Sequence, residues 1–181
     1  YCIINVIVRI IVTTMKMPFD NTYPVTQEFG NKLILDWVDV YGKWEMKGHN
    51  GMDFGVPFGT VLKTPISGMV KEANFDQYGY GWYVKIENET EGCVLAHMDK
   101  ITVKIGYLLQ EGDEIGLSGN TGNSTGAHLH WGYYKMPRNR ANGFDGYIDQ
   151  RPLLESLHLL QPLAVSTPVS NDSKGLPSPT P

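Results

Sequence analysis

Two of the five histidines in this 181-residue chain, His128 and His130, stand one residue apart in the segment AHLHWG. On a β-strand residues i and i+2 project from one face, so this spacing sets both imidazoles side by side on a single surface. Two such rings make poor core packing. They suit a metal site, because neutral imidazole is a good zinc ligand and a carboxylate can complete the protein set. Asp53 offers that carboxylate, four residues after His49 in GHNGMDFG, and His97 follows in CVLAHM. Taken singly, each histidine reads as a surface or hydrogen-bonded residue, and an H-x-x-x-D spacing arises often by chance; the alternation of His128 and His130 gives the set its weight.

A His, Asp, His set leaves one of four tetrahedral positions to water, which marks a catalytic zinc and argues against a structural one. Three ligands drawn from Asp53 and the four histidines of this region leave two histidines for chemistry. Water on zinc ionises near pH ~7. One imidazole can then take or return a proton, and another can hydrogen-bond to the oxyanion that forms when hydroxide attacks a carbonyl. The inventory matches amide hydrolysis, but spacing alone does not say which histidines bind and which react.

The elements that must position these residues are short strands. Of the 20 glycines, 19 lie between Gly30 and Gly146, punctuating segments rich in Val, Ile, Tyr and Trp, a pattern of sheet and turn. Candidate strands are TVLKTPISGMVKEANF, GWYVKIENE, GCVLAHMD, DEIGLSG and AHLHWGYYK, parted by turns at Gly59, DQYGYG, NETEG, QEGD and GNTGN. Strands this short and close predict antiparallel sheets. NKLILDWVDVYG is the first long apolar segment, and QRPLLESLHLL, with apolar residues at helical spacing, predicts a short closing helix that carries His158. Gly119, Gly122 and Gly126 are expected to turn the chain tightly into the strand of His128 and His130.

Three regions follow. Residues 1–17 open with YCIINVIVRIIVTT, apolar but interrupted by Arg9 and shorter than the ~20 residues a spanning helix needs. That stretch is either the end of a truncated anchor or signal, or sequence ahead of a start at Met15 or Met17. The lack of a small-residue cleavage site favours the second. Residues 18–160 have the composition of one globular domain. Residues 161–181, with five Pro and four Ser, read as a linker or disordered tail that could lead to another module.

Composition excludes some functions. The net charge is -4 and the 15 Lys and Arg form no basic run, so nucleic acid is not an expected partner, and no integral membrane domain is evident. Two cysteines give no disulfide framework, and Cys93, inside a candidate strand, reads as a small buried hydrophobe. Lys47, Lys85 and Glu87 read as solvated face residues, and Trp37, Trp44 and Trp82 as core or groove wall.

Three of these motifs, in order, resemble the zinc endopeptidases of the lysostaphin and LytM type, the M23 peptidases, over roughly Tyr23 to Leu154. GHNGMDFG is similar to the family's H-x-G-x-D segment, LAHM to its Tyr-Ala-His-Leu strand motif, and VKIGYLLQEGDEIGLSGNTGNSTGAHLHWGYY to its long signature ending in His-Leu-His. Leu95, Ala127 and Trp131 depart from the usual Tyr, Pro and Phe without removing a metal or proton-transfer group.

The resemblance implies that His49, Asp53 and His130 bind one Zn2+ and that His97 and His128 form the catalytic pair. It implies a mainly β fold, a duplicated hybrid motif of antiparallel sheets with a groove walled by DQYGYGWY and MPRNRANGFDGY. It further implies a monomeric catalytic domain that cuts cross-bridge or stem peptides of bacterial peptidoglycan, outside the cell, at the wall or in the periplasm. With no complete signal peptide, a phage lysin or virion-associated wall hydrolase is the expected setting, and an exported bacterial hydrolase its rival. From a different class, a catalytically silent peptidoglycan-binding or hydrolase-activating module would show missing ligands, and all five positions are filled. Sugar-system phosphotransfer through a His pair leaves Asp53 and the further histidines unexplained.

Overall fold

The structure, a computed structural model, describes residues 15–32, 34, 35, 38, 39 and 41–154. The apolar stretch 1–14, Trp37, His158, the helix prediction beyond residue 154 and the tail 161–181 lie outside the described residues.

The described residues form eleven strands: β1 (Val25–Gln27), β2 (Ile34–Leu35), β3 (Val38–Asp39), β4 (Met52–Phe54), β5 (Val61–Lys63), β6 (Gly68–Asp76), β7 (Gly81–Glu87), β8 (Glu91–Ile101), β9 (Leu108–Leu109), β10 (Glu114–Ser118) and β11 (Leu129–Lys135). Nine of them make one antiparallel sheet, in the order β1-β4-β11-β8-β7-β6-β9, with β10 paired to both β5 and β8; β2 and β3 pair separately. The fold is mainly β and antiparallel. Helix among the described residues is limited to 3-10 turns at Gly42–Trp44 and Arg140–Asn142 and one turn at 151–154, where the closing helix is predicted to begin.

One candidate strand divides in two. TVLKTPISGMVKEANF breaks between β5 and β6 because Pro65 has no N–H for a ladder. Buried Thr64 turns the chain there by donating its hydroxyl to the Ile66 carbonyl at 2.6 Å. β4, which carries Asp53, is three residues long, too short for alternation to reveal it.

β8 and β11 are the central pair. Residues 92–98 of β8 and 129–134 of β11 are buried throughout, since both faces of these strands are covered. On one face Val84, Ile86, Leu95, Trp131 and Tyr133 join Leu62 and Ile115 in the main core. On the other, Val94 and Tyr134 pack with Tyr147. Alternation assigns His130 to this second face, between core-facing Leu129 and Trp131. Truncating a fully buried aromatic such as Trp131 costs about 3–5 kcal/mol, so β11, which carries His130, is firmly seated; His128 stands just ahead of it, in an isolated bridge to Gly119.

β8 changes partners along its length. Glu91 to Ala96 pair with β11, whereas Met98 to Ile101 pair with β10. The hand-over falls at His97, which takes a left-handed φ of 60°. Its neighbour β7 also loses register there, pairing Val84 with Leu95 and then Trp82 with Met98. A bulge of this kind bends the strand and re-aims one side chain.

Candidate metal centre and groove

Asp53 and His130 are direct partners in the β4–β11 ladder, so their side chains leave the same face of the sheet at adjacent positions. His49 comes from the loop before β4. Its backbone N–H donates to the Asn31 carbonyl at 2.9 Å and its carbonyl accepts from Gly30 N–H at 2.8 Å. The His49 Nδ1–H donates to the Glu28 carbonyl at 3.1 Å, which leaves Nε2 bare and facing inward.

Three donor atoms then meet. His49 Nε2 lies 2.9 Å from His130 Nδ1 and 3.1 Å from Asp53 Oδ1, and His130 Nδ1 lies 2.9 Å from Asp53 Oδ1. All three residues are buried. Ligands at about 2.0–2.1 Å from a tetrahedral zinc are about 3.3 Å apart, so the triangle fits such an ion after a slight expansion. A single proton could satisfy one edge of this triangle; a cation satisfies all three lone pairs. His130 Nε2 is buried with no hydrogen-bond partner, so neither ring nitrogen of this residue has an ordinary structural use outside the cluster.

Burial alone would raise the Asp53 carboxyl. Hydrogen bonds and charge from His130 and His49 outweigh burial and hold it well below the usual carboxylate range. Burial also lowers His130, against the pull of Asp53. A carboxyl held in its ionised form and a His130 imidazole that burial keeps from protonating are what a metal requires of such ligands.

His97 and His128 flank the triangle, with ring centroids 4.5 Å apart. Each has its Nδ1 tied to a backbone carbonyl, His97 to Thr121 at 2.8 Å and His128 to Gly126 at 2.8 Å. Both therefore carry the proton on Nδ1 and offer Nε2. His128 Nε2 stands 3.6 Å from Asp53 Oδ2, beyond a hydrogen bond. Burial, with smaller contributions from His130 and His128, pushes His97 down to about 4, so it is a neutral base at physiological pH.

These five side chains lie in one open groove of about 450 Å³. Tyr41, Trp44 and Met46 wall one side; Asp76, Gly79 and Tyr80 from the DQYGYGWY turn, Ser124, and Asp145 from the MPRNRANGFDGY loop complete it. Arg138 pins that last loop, stacking on Tyr134 and Tyr147 and pairing with Asp145 at 2.8 Å. The structure thus brings together all five residues singled out in the sequence.

The sequence did not single out Tyr41, Asn50 or Tyr80. Tyr41 sits against the His49 ring and bonds through its phenol to Gln27, and burial raises it to about 12. Asn50 Nδ2 donates to the Tyr80 phenol at 2.9 Å, and the Tyr80 ring lies 5.4 Å from that of His130. Position between two motif residues marks Asn50, and Tyr80 lies in the DQYGYGWY segment expected to wall the groove, whereas nothing local marks Tyr41. The carbonyls of Glu28, Thr121 and Gly126 are backbone groups and leave no trace in residue type. Of the three turn glycines, Gly126 has open space for a Cβ and no left-handed φ, so the steric demand falls on Gly119 and Gly122.

Residues 47–143, just over half the chain, match the model of peptidase family M23. The chain is 34% identical over 141 residues to the peptidoglycan DD-endopeptidase ShyB of Vibrio cholerae serotype O1, covering 76% of this chain and 32% of that protein. Among solved structures, a zinc-containing peptidase from Vibrio cholerae superposes with a TM-score of 0.60 at 30% identity, over 76% of this chain and 38% of that one. The catalytic domain of the antimicrobial peptidase lysostaphin from Staphylococcus simulans gives a TM-score of 0.60 at 29% identity, over 74% of this chain and 92% of that one. The chain spans about a fifth to a third of the length of the curated relatives it matches first. With its motif residues gathered in one groove and its sequence and fold both aligned to these proteins, the chain belongs to peptidase family M23.

Proposed function

We propose that the chain is a zinc-dependent endopeptidase that hydrolyses peptide bonds of bacterial peptidoglycan. In this reading His49, Asp53 and His130 hold one Zn2+, and His97 and His128 serve the reaction. The observation that carries it is the triangle of donor atoms, no edge longer than 3.1 Å, with two imidazoles of fixed tautomer beside it. Zinc is supported by the donor set and by the zinc-containing neighbour, and peptidoglycan by the kinship to ShyB.

When bound, zinc supplies Lewis acidity for a carbonyl and a water that ionises near pH ~7. The chain's residues do the rest. Asp53 and His130, from the β4–β11 ladder, and His49, from the loop before β4, would hold the cation. His97 and His128, each with Nε2 bare, accept a proton from the attacking water, return one to the leaving amine, or donate to the developing oxyanion once protonated. The aromatic and small polar walls suit an extended peptide lying along the groove.

The proposed place of action is the cell wall or periplasm, in a phage lysin, a virion-associated wall hydrolase or an exported bacterial hydrolase. Mass spectrometry of fragments released from peptidoglycans of defined cross-bridge tests the proposal. Fragments should appear with metal, vanish with a chelator and return with zinc, and their new termini identify the bond. Walls bound without any fragment would instead be the behaviour of a silent binding module and would end the enzyme reading.

A further inference from the structure

His97 has a left-handed backbone in the middle of a strand, a conformation that residues with a Cβ avoid. Its ring direction therefore depends on what holds it from outside. Among the described residues the one hydrogen bond to the ring is from Nδ1 to the Thr121 carbonyl, at 2.8 Å.

Thr121 is itself held by its side chain. The hydroxyl donates to the Met98 carbonyl at 2.7 Å and accepts from the Trp82 N–H at 2.9 Å. Trp82 and Met98 are the first paired residues of β7 and β8 beyond the bulge. One hydroxyl thus bridges the two strands where their register is broken, one residue from His97. The approach is close by construction. Gly81 has a φ of +62°, and a Cβ there would lie 2.4 Å from the Thr121 carbonyl oxygen. Gly122 has a φ of +75°, and a Cβ there would lie 2.2 Å from Gly81 N.

We infer that Thr121 is a positioning residue for His97: its carbonyl selects the Nδ1–H tautomer of the imidazole, and its hydroxyl, bridging β7 and β8, holds that carbonyl in place. A valine at 121 keeps the branched shape and loses both hydroxyl bonds. The carbonyl is then free to drift, and with it the ring and its proton. The kinetic consequence rests on the peptidase reading above; the tautomer assignment does not.

The test uses the full chain, zinc-loaded and labelled with ¹⁵N-histidine. Long-range ¹⁵N–¹H correlations should show the His97 proton on Nδ1 in the wild type. Thr121→Val should give mixed tautomers with zinc content unchanged. On a peptidoglycan peptide its kcat should fall about 10- to 100-fold, as a displacement of about 1 Å costs, with KM within about twofold. Thr121→Ser, which keeps the hydroxyl, should restore both tautomer and kcat. A wild-type spectrum with the proton on Nε2 overturns the inference whichever variants fold. So does a folded Thr121→Val with wild-type tautomer and kcat, or a Thr121→Ser in which neither tautomer nor kcat is restored. A wild type that cleaves no peptide is a failure of the peptidase reading, and the tautomer spectra still decide this one.

Discussion

Asp53 and His130 face each other as a direct cross-strand pair of β4 and β11, with Asp53 Oδ1 2.9 Å from His130 Nδ1. Two of the three proposed ligands are thereby set by ladder register on strands buried on both faces, and the third, His49, closes the triangle from a loop. Such a site is pre-organised, because moving either side chain requires the register to slip.

Asp53→Asn should keep the fold and lose the metal. The amide oxygen carries no charge to set against a divalent cation, so zinc affinity should fall by more than the ~10–100-fold that loss of an outer partner costs. Zinc per mole by elemental analysis, with circular dichroism for the fold, checks this. Retained stoichiometric zinc would remove Asp53 from the ligand set.

His128→Ala should leave zinc content near stoichiometric while cleavage falls by about 10²–10⁴, the usual size of a general acid–base contribution. His128 Nε2 is 3.6 Å from the Asp53 carboxylate and lies outside the triangle. Loss of zinc together with activity would instead place His128 among the ligands.

Gly51→Ala tests why the residue between His49 and Asp53 has no side chain. A Cβ there would lie 2.6 Å from His130 Cε1 and 2.7 Å from the Trp131 carbonyl oxygen. The ring of a proposed ligand and the backbone of β11 must both yield. Overpacking of this kind costs about 1–3 kcal/mol. The expected result is a lower thermal midpoint together with weaker zinc binding in a metal titration.

The metal-free protein should lose stability on acidification between pH 6.5 and about 4. Burial, and to a lesser degree the neighbouring His130 and His128, lowers His97 from 6.5 to about 4. In that window the unfolded chain binds a proton that the folded chain refuses, so stability rises with pH, by up to about 1.4 kcal/mol per pH unit for one proton. The contribution is complete above pH 6.5 and is lost as pH falls toward 4. His130, also lowered, acts in the same direction. Urea titrations across this range should show a shallower slope for His97→Gln than for the wild type; equal slopes would contradict the account.

Much of this site was legible before any coordinate. Alternation in AHLHWG puts His128 and His130 on one face, and those residue types with Asp53 define a metal and proton-transfer chemistry whatever the fold. Glycine punctuation marks the strands, and four of the five candidate segments each form one strand; the fifth divides at Pro65, a break visible in the residue itself. β4 was not legible, because three residues carry no periodicity.

The sequence by itself determined which chemistry is available and which short segments carry it, because residue type and i, i+2 spacing are local properties. Tertiary structure alone decided the geometry. His49 and His130 meet across 81 residues, and His130 and Asp53 across 77, through strand order and register that no local pattern encodes. It also decided which nitrogen of His49, His97 and His128 faces the groove, since that choice rests with the carbonyls of Glu28, Thr121 and Gly126. A carbonyl is the same in every residue, so only its place in the fold gives it a role.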